Sequence, residues 1–449
     1  MSSIEFSHNQ NNLKQLADKI LKRAADLGAS SAGLEINEEI ETNIEVLNGN
    51  IENFETSYDS AISLSVYIGH KCGNVSISQV PPADIDMVIN GALDIAKYTQ
   101  EDPYQGIAEP EFLCKSFNDN LELYNPVNFT NQELINTTLE LEKLALSMNK
   151  KITASNGAAI NLSKYNFVIA STNGLNLGYQ TTRYNNSISL IGNTANGMQT
   201  DYWYSGGRSY ADLENNNALA NHAVNRVLRR LSTGQIKPGN YPVIFEAPIA
   251  KSLIGGFLGA ISGSNLYRNL SFLNNSINTK VFPSWVNIAE DPFKVKGQAS
   301  CYFDNEGVSV CKRNLVENGV VKGYILSSYS ARKLGLQTTG NAGGNHNLIV
   351  KNNFSGDVSL LAKEMQKGLV VIETIGYGVN MVTGDYSVGA SGLWVENGEI
   401  QFFVSNLTIS GNLKEIYAGI QYISDDHTNS SILCGSILVD KISVSTSEE

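Results

Sequence analysis

Residues 33–58 read GLEINEEIETNIEVLNGNIENFETSY. Apolar and polar residues alternate on both sides of Asn48-Gly49. Alternation marks a strand with one buried face, and Asn-Gly is a strong two-residue hairpin signal because both turn positions need positive φ. The stretch predicts an antiparallel pair, and its flanks set the fold class. Upstream, Leu13, Leu16, Ala17, Ile20, Leu21 and Ala24 fall at helical spacing, with Gly28 placed for a C-cap. Downstream, residues 60–80 continue as strands until Pro81-Pro82, and residues 83–98 return to a helical pattern.

The same alternation recurs along the chain. Thr130 and Glu133 form a capping-box pattern opening a helix to about Met148. Residues 151–163, 166–172, 178–193 and 198–206 read as strands, followed by a long helix over 209–232. After 235–241 (QIKPGNY), read as a linker, come a strand, a helix and then mostly strands: 280–288, 300–303, 313–317, 320–326 and a last one at 436–444. Asn318-Gly319 and Asn397-Gly398 turn two more hairpins, and helices are expected near 327–334 and 358–367. The predicted class is α+β, with helices and antiparallel strands segregated. An N-terminal domain of helices and antiparallel sheet is expected over residues 1–234. A mainly antiparallel β domain with a few helices is expected over 235–449.

The 449 residues carry a formal net charge of −12. Nucleic-acid affinity comes largely from Lys and Arg neutralising phosphates, so direct nucleic-acid binding is not expected. The densest basic cluster, Arg226, Arg229 and Arg230, reads as the solvated face of a helix. No apolar run approaches the ~18 residues of a membrane span, and the first residues lack a secretory pattern. Five scattered cysteines without a C-x-x-C suit a reducing compartment, and the expected location is the cytoplasm.

The five histidines are His8, His70, His222, His346 and His427. None pairs with another at the spacing of a helical zinc site. A metal site formed from His346, His427, Asp425 and Cys434 would need the fold to assemble it, and Asp425-Asp426-His427 reads as an exposed polar loop. The serines in residues 259–263 (GAISG) and 389–392 (GASG) miss the nucleophile-elbow spacing. Cys72 and Cys301 read as buried strand thiols, and Asp304 and Glu306 as turn carboxylates. There is no G-x-x-x-x-G-K-[ST] phosphate loop.

Four longer stretches, residues 303–308 (FDNEGV), 314–343, 383–400 (TGDYSVGASGLWVENGEI) and 408–416 (TISGNLKEI), together resemble the TldD/PmbA family, the modulators of DNA gyrase. The resemblance implies a heterodimeric metalloprotease. Its TldD branch carries His-Glu-x-x-x-His, which binds zinc, and a further cysteine ligand. The equivalent segment here is residues 254–259 (IGGFLG), which has no His or Glu and is similar to the PmbA/TldE branch. Cys434 lies too near the final strand to match the zinc cysteine, so no catalytic or metal residue is carried over. No cofactor is expected in this chain, and zinc is expected in a TldD-type partner.

The resemblance thus implies a non-catalytic subunit that pairs with a zinc-bearing TldD-type chain and acts on unfolded or flexible peptides. Gly255, Gly256, Phe257, Leu258, Gly259, Ile261 and Leu266 are candidates for packing that partner or lining its chamber. The alternative for these residues is a helix packed in its own core. For the whole chain the alternatives are an independent homodimeric binding or regulatory protein, and a peptidase with an unrecognised site.

Overall fold

The computed structural model describes residues 5–194, 197–376 and 378–446. The chain opens with α1 (Gln10–Asp26), β1 (Ser31–Leu47), β2 (Asn50–Ile68), β3 (Lys71–Ile77), α2 (Ile85–Tyr98), α3 (Asn131–Met148), β4 (Ile152–Ser171), β5 (Asn176–Thr194), β6 (Gly197–Gly207) and α4 (Asn216–Arg230). The six strands form one antiparallel sheet in the order β3-β2-β1-β4-β5-β6. Asn48 and Gly49 have φ of 53° and 74°, as their hairpin requires. Leu34 and Ile36 of β1 pack with α1 and α2, whereas Ile44 and Val46 pack with α3 and α4. All four residues share one face by the period of two. Both helix pairs therefore cover that face, one pair at each end.

Two expectations for this half are corrected. The strands expected at 151–163 and 166–172 are one long strand, β4, because every residue from Ala158 to Ala170 finds a partner on β5. The helix over 209–232 begins only at Asn216, since the Asn215 side chain accepts the Ala218 N–H as an N-cap.

The rest of the chain comprises β7 (Gly239–Phe245), α5 (Ala247–Ala260), α6 (Gly263–Leu266), β8 (Ile288–Asp291), β9 (Arg313–Glu317), β10 (Val320–Val321), α7 (Ser328–Leu334), β11 (Asn347–Val350), α8 (Val358–Met365), β12 (Gly368–Ile375), β13 (Asp385–Glu396), β14 (Glu399–Asn412), α9 (Leu413–Ala418), β15 (Ile420–Ile423), β16 (Ile432–Leu433) and β17 (Ile437–Thr446). One sheet runs β14-β13-β12-β7-β17-β15, and a further β14–β17 pairing closes it into a barrel. Its β7–β12 pairing is parallel. A smaller sheet runs β10-β9-β8-β11-β16, with β11 and β16 parallel. The strands expected at 280–288 and 300–303 are chiefly irregular, held by isolated bridges such as Lys280–Val320 and Phe303–Ser309. The architecture is α+β.

The two halves meet along an aromatic seam. Phe117 stacks on Tyr302, with ring centroids 4.3 Å apart, and Tyr179 meets both Tyr302 and Phe303 edge-on. The segment between α2 and α3 joins this seam through Leu113, Leu121 and Leu123, so it is an ordered connection.

Candidate cleft and helix α5

Helix α5 follows β7 directly. Pro248 sits in its first turn, where a missing N–H costs nothing. Glu246, the residue before it, anchors the helix to the N-terminal half. Its carboxylate accepts from Arg226 at 3.0 Å and from Arg229 at 2.5 and 2.9 Å. Asp201 of β6 accepts from Arg226 at 3.1 Å and Arg230 at 2.7 Å, and Arg230 also reaches Glu373 of β12 at 2.8 Å. Three arginines thus meet three carboxylates across the two halves. Burial opposes the charge on Glu246, but Arg229 and Arg226 outweigh it and hold the carboxylate below its ordinary range. The expectation of a solvated arginine face is corrected: Arg230 is 7% exposed, and the basic run serves an internal ion network.

Above this network lies a cleft of about 480 Å³, walled by Trp203 and Tyr204 of β6, His222 and Arg226 of α4, the start of α5 and the loop from Asp426 to Asn429. Arg226 lies 5.3 Å from the Trp203 ring centroid. Glu214 accepts from the Trp203 indole at 3.2 Å and pairs with His222 Nδ1 at 2.8 Å. Lys251 of α5 donates to Thr428, tying the helix to the far wall. Burial lowers the Lys251 pKa.

The glycine-rich part of α5 points in several directions. Phe257, Ile261 and Leu266 are buried in the chain's own core, and Leu258 nearly so. A Cβ on Gly256 would lie 3.1 Å from the Tyr417 hydroxyl, and one on Gly259 would lie 2.7 Å from Met381 Cε. Gly255 differs: a Cβ there would meet nothing within 4 Å. Residues 254–259 supply no nitrogen, oxygen or sulfur side-chain donor, so this turn does not fit zinc.

The structure does not bring His346, His427, Asp425 and Cys434 together. His427 is exposed on the cleft wall, while Asp425 accepts from Ser355 and Gly356. Cys434 is wholly buried, and burial drives its thiol pKa far up. It packs in the same core cluster as Leu253, Ile254 and Phe257 of α5. His346 pairs instead with Cys301, Nδ1 to Sγ 3.2 Å, and its Nε2 donates to the Gly340 carbonyl at 2.7 Å. Burial, Asp304 and Glu290 push the Cys301 thiol up to about 12, so the pair holds a thiol and no nucleophilic thiolate. Among the described residues no three His, Cys, Asp or Glu side chains are grouped to hold a metal ion.

No local sequence pattern marks the network of Asp201, Arg226, Arg229, Arg230, Glu246 and Glu373. The arginine run was visible, but its carboxylate partners lie on three separate strands or strand ends.

Comparison with known proteins places the chain. Residues 34–96, 124–231 and 238–446 match domain 1, the central domain and the C-terminal domain of the PmbA/TldA metallopeptidases. The chain is 37% identical over 435 residues to the metalloprotease PmbA of Escherichia coli O157:H7, covering 96% of each. A solved structure from Bacteroides thetaiotaomicron superposes with TM-score 0.92 at 24% identity, covering 98% of this chain and 100% of that one. TldE from Thermococcus kodakarensis superposes with TM-score 0.84 at 19% identity, over 96% of this chain and 100% of its own. These two structural likenesses speak to the fold alone. With three domain matches in order and a relative of this identity along nearly its whole length, the chain belongs to the PmbA/TldD family of metallopeptidases.

Proposed function

We propose that this chain is the PmbA/TldE-type, non-catalytic subunit of a two-chain zinc metallopeptidase that cleaves unfolded or flexible peptides. One observation carries the reading: the turn of α5 over residues 254–259, where the family resemblance puts the zinc-binding histidines and glutamate, has Gly255, Gly256 and Gly259 and no donor side chain. A zinc ion polarises the scissile carbonyl and lowers the pKa of its bound water, and that chemistry falls to a TldD-type partner. This chain supplies architecture. Gly255 leaves backbone open on α5, so a partner or an extended peptide can approach closely there. The test is cleavage of an unstructured peptide by this chain with zinc, alone and mixed with its TldD-type partner. Activity confined to the mixture is expected. Cleavage by the highly purified chain alone overturns the reading.

A further inference from the structure

The β5–β6 ladder ends with Tyr184 opposite Gly207, so the next pair outward is Arg183 and Arg208. Two like charges facing each other across strands repel. Arg208 is only 4% exposed, whereas Arg183 is exposed at the rim beside it. Buried charges are ordinarily paired, yet both guanidiniums reach only neutral acceptors. Arg183 donates to Gln298 Oε1 at 3.3 Å and to the Gln298 carbonyl at 3.1 Å. Arg208 donates to the carbonyls of Gly297 at 3.5 Å and Gln298 at 3.1 Å. Among the described residues neither arginine has a carboxylate within ion-pair distance. In the same cross-strand row Glu41 lies two strands away and is engaged by Asn161.

The surroundings do not supply the missing charge. Burial holds Tyr179 and Cys301, two ionisable groups close enough to influence Arg208, in their neutral forms. Burial and repulsion from Arg183 depress the Arg208 pKa to about 10, which marks an uncompensated cation. A second, independent feature points to the same place. The Nε2 amide of Gln298 is buried without an acceptor, and its orientation is fixed because Oε1 takes the Arg183 bond. A buried donor left unsatisfied is costly, which favours an acceptor at this point.

We propose that Arg183, Arg208 and Gln298 form an oxyanion-binding site at the seam between the two halves, taking a carboxylate or phosphate. Guanidiniums suit this ligand because their planar fork of donors matches its oxygens. Arg183 gives the anion access, and Arg208 with the Gln298 amide supplies the buried inner donors. The chain's net charge of −12 repels anions at long range, so any saturable binding reports local geometry. The site is independent of the subunit reading above, because it lies wholly within this chain.

The experiment is isothermal titration of the full chain at fixed ionic strength with three probes: inorganic phosphate, a short N-acetylated peptide with a free C-terminal carboxylate, and the same peptide as its C-terminal amide. Saturable binding of one equivalent of phosphate, or of the free-acid peptide but not the amide, is expected. The first outcome assigns a free oxyanion, and the second a peptide end. Arg183→Gln, a change at an exposed position, should weaken that binding at least tenfold while leaving the circular dichroism spectrum unchanged. No saturable binding of either anionic probe overturns the site. So does binding that Arg183→Gln leaves intact, which means non-specific surface charge only.

Discussion

Asp304 is 2% exposed and accepts three backbone N–H bonds, from Glu306, Val308 and Ala342, each at 2.9 Å. It therefore holds the turn of residues 303–308 against the loop that carries Gly340. Burial is the largest influence on its carboxyl, and the charge of Glu306 adds to it. Together they outweigh the three amide donors and raise the pKa to about 7. An unfolded aspartate titrates near ~3.9. The folded chain thus binds the proton more tightly, and the sign follows by linkage. Stability from this group is full below about pH 4 and is lost as pH rises to about 7, by roughly 4 kcal/mol in all. Unfolding free energy measured from pH 4 to 8 should fall more steeply for the wild type than for Asp304→Asn. Parallel profiles for the two proteins would refute the assignment. The sequence marks Asp304 as a turn carboxylate, but its titration depends on burial in the folded chain and on the Ala342 amide 38 positions away, which no local pattern encodes.

At the scale of elements, α5 tests how a helix can be both core and surface. Its glycines lower helix propensity, each by about 1 kcal/mol relative to alanine. Gly256 and Gly259 have a packing reason, since Tyr417 and Met381 press against them. Gly255 has none within the chain, because a Cβ there meets nothing. Gly255→Ala should therefore raise the stability of the isolated chain by about 0.5–1 kcal/mol. Gly255→Leu should leave the chain folded but impair activity of the mixture with a TldD-type partner, if α5 is approached at that point. Chemical denaturation and the peptide assay read the two effects separately; an isolated chain destabilised by Gly255→Ala contradicts the open geometry. Helices and hairpins of this kind were legible in the sequence because their signals are local. Pro248 opened α5, Thr130 and Glu133 capped α3, and Asn-Gly turned β1 into β2, β9 into β10 and β13 into β14. The closure of the barrel by β14 and β17 was not legible. It depends on Leu407 meeting Thr446, a register that alternation permits but cannot select.

At the scale of the molecule, the halves are joined by charged side chains that reach carboxylates or backbone of the other half. The cleft network of Asp201, Arg226 and Glu246 is one such joint. The second is Arg332 of α7, which fastens the segment between α2 and α3. Its guanidinium donates to Glu109 at 2.7 Å and to the carbonyls of Tyr104, Gly106 and Ile107 at 3.1, 3.2 and 2.5 Å. Tyr329 and Lys333 of the same helix hold Asp102, at 2.7 and 3.3 Å. A helix of seven residues thereby orders a long connection that has little secondary structure of its own. Charged hydrogen bonds contribute about 1.5–3 kcal/mol each when both partners are well placed. Removing the guanidinium leaves three carbonyls and one carboxylate without it, and water can reach them because Tyr104 and Glu109 lie near the surface. The cost is therefore local opening of the segment, with the barrel and the six-stranded sheet intact. For Arg332→Ala we expect a local opening free energy about 3 kcal/mol lower. That corresponds to cleavage within residues 100–128 roughly 100-fold faster under limited proteolysis, provided the segment recloses faster than it is cut. Mass spectrometry of the first fragments locates the cut. First cleavage elsewhere, or at the wild-type rate, shows that the aromatic seam around Phe117 and Tyr302 holds the connection without Arg332.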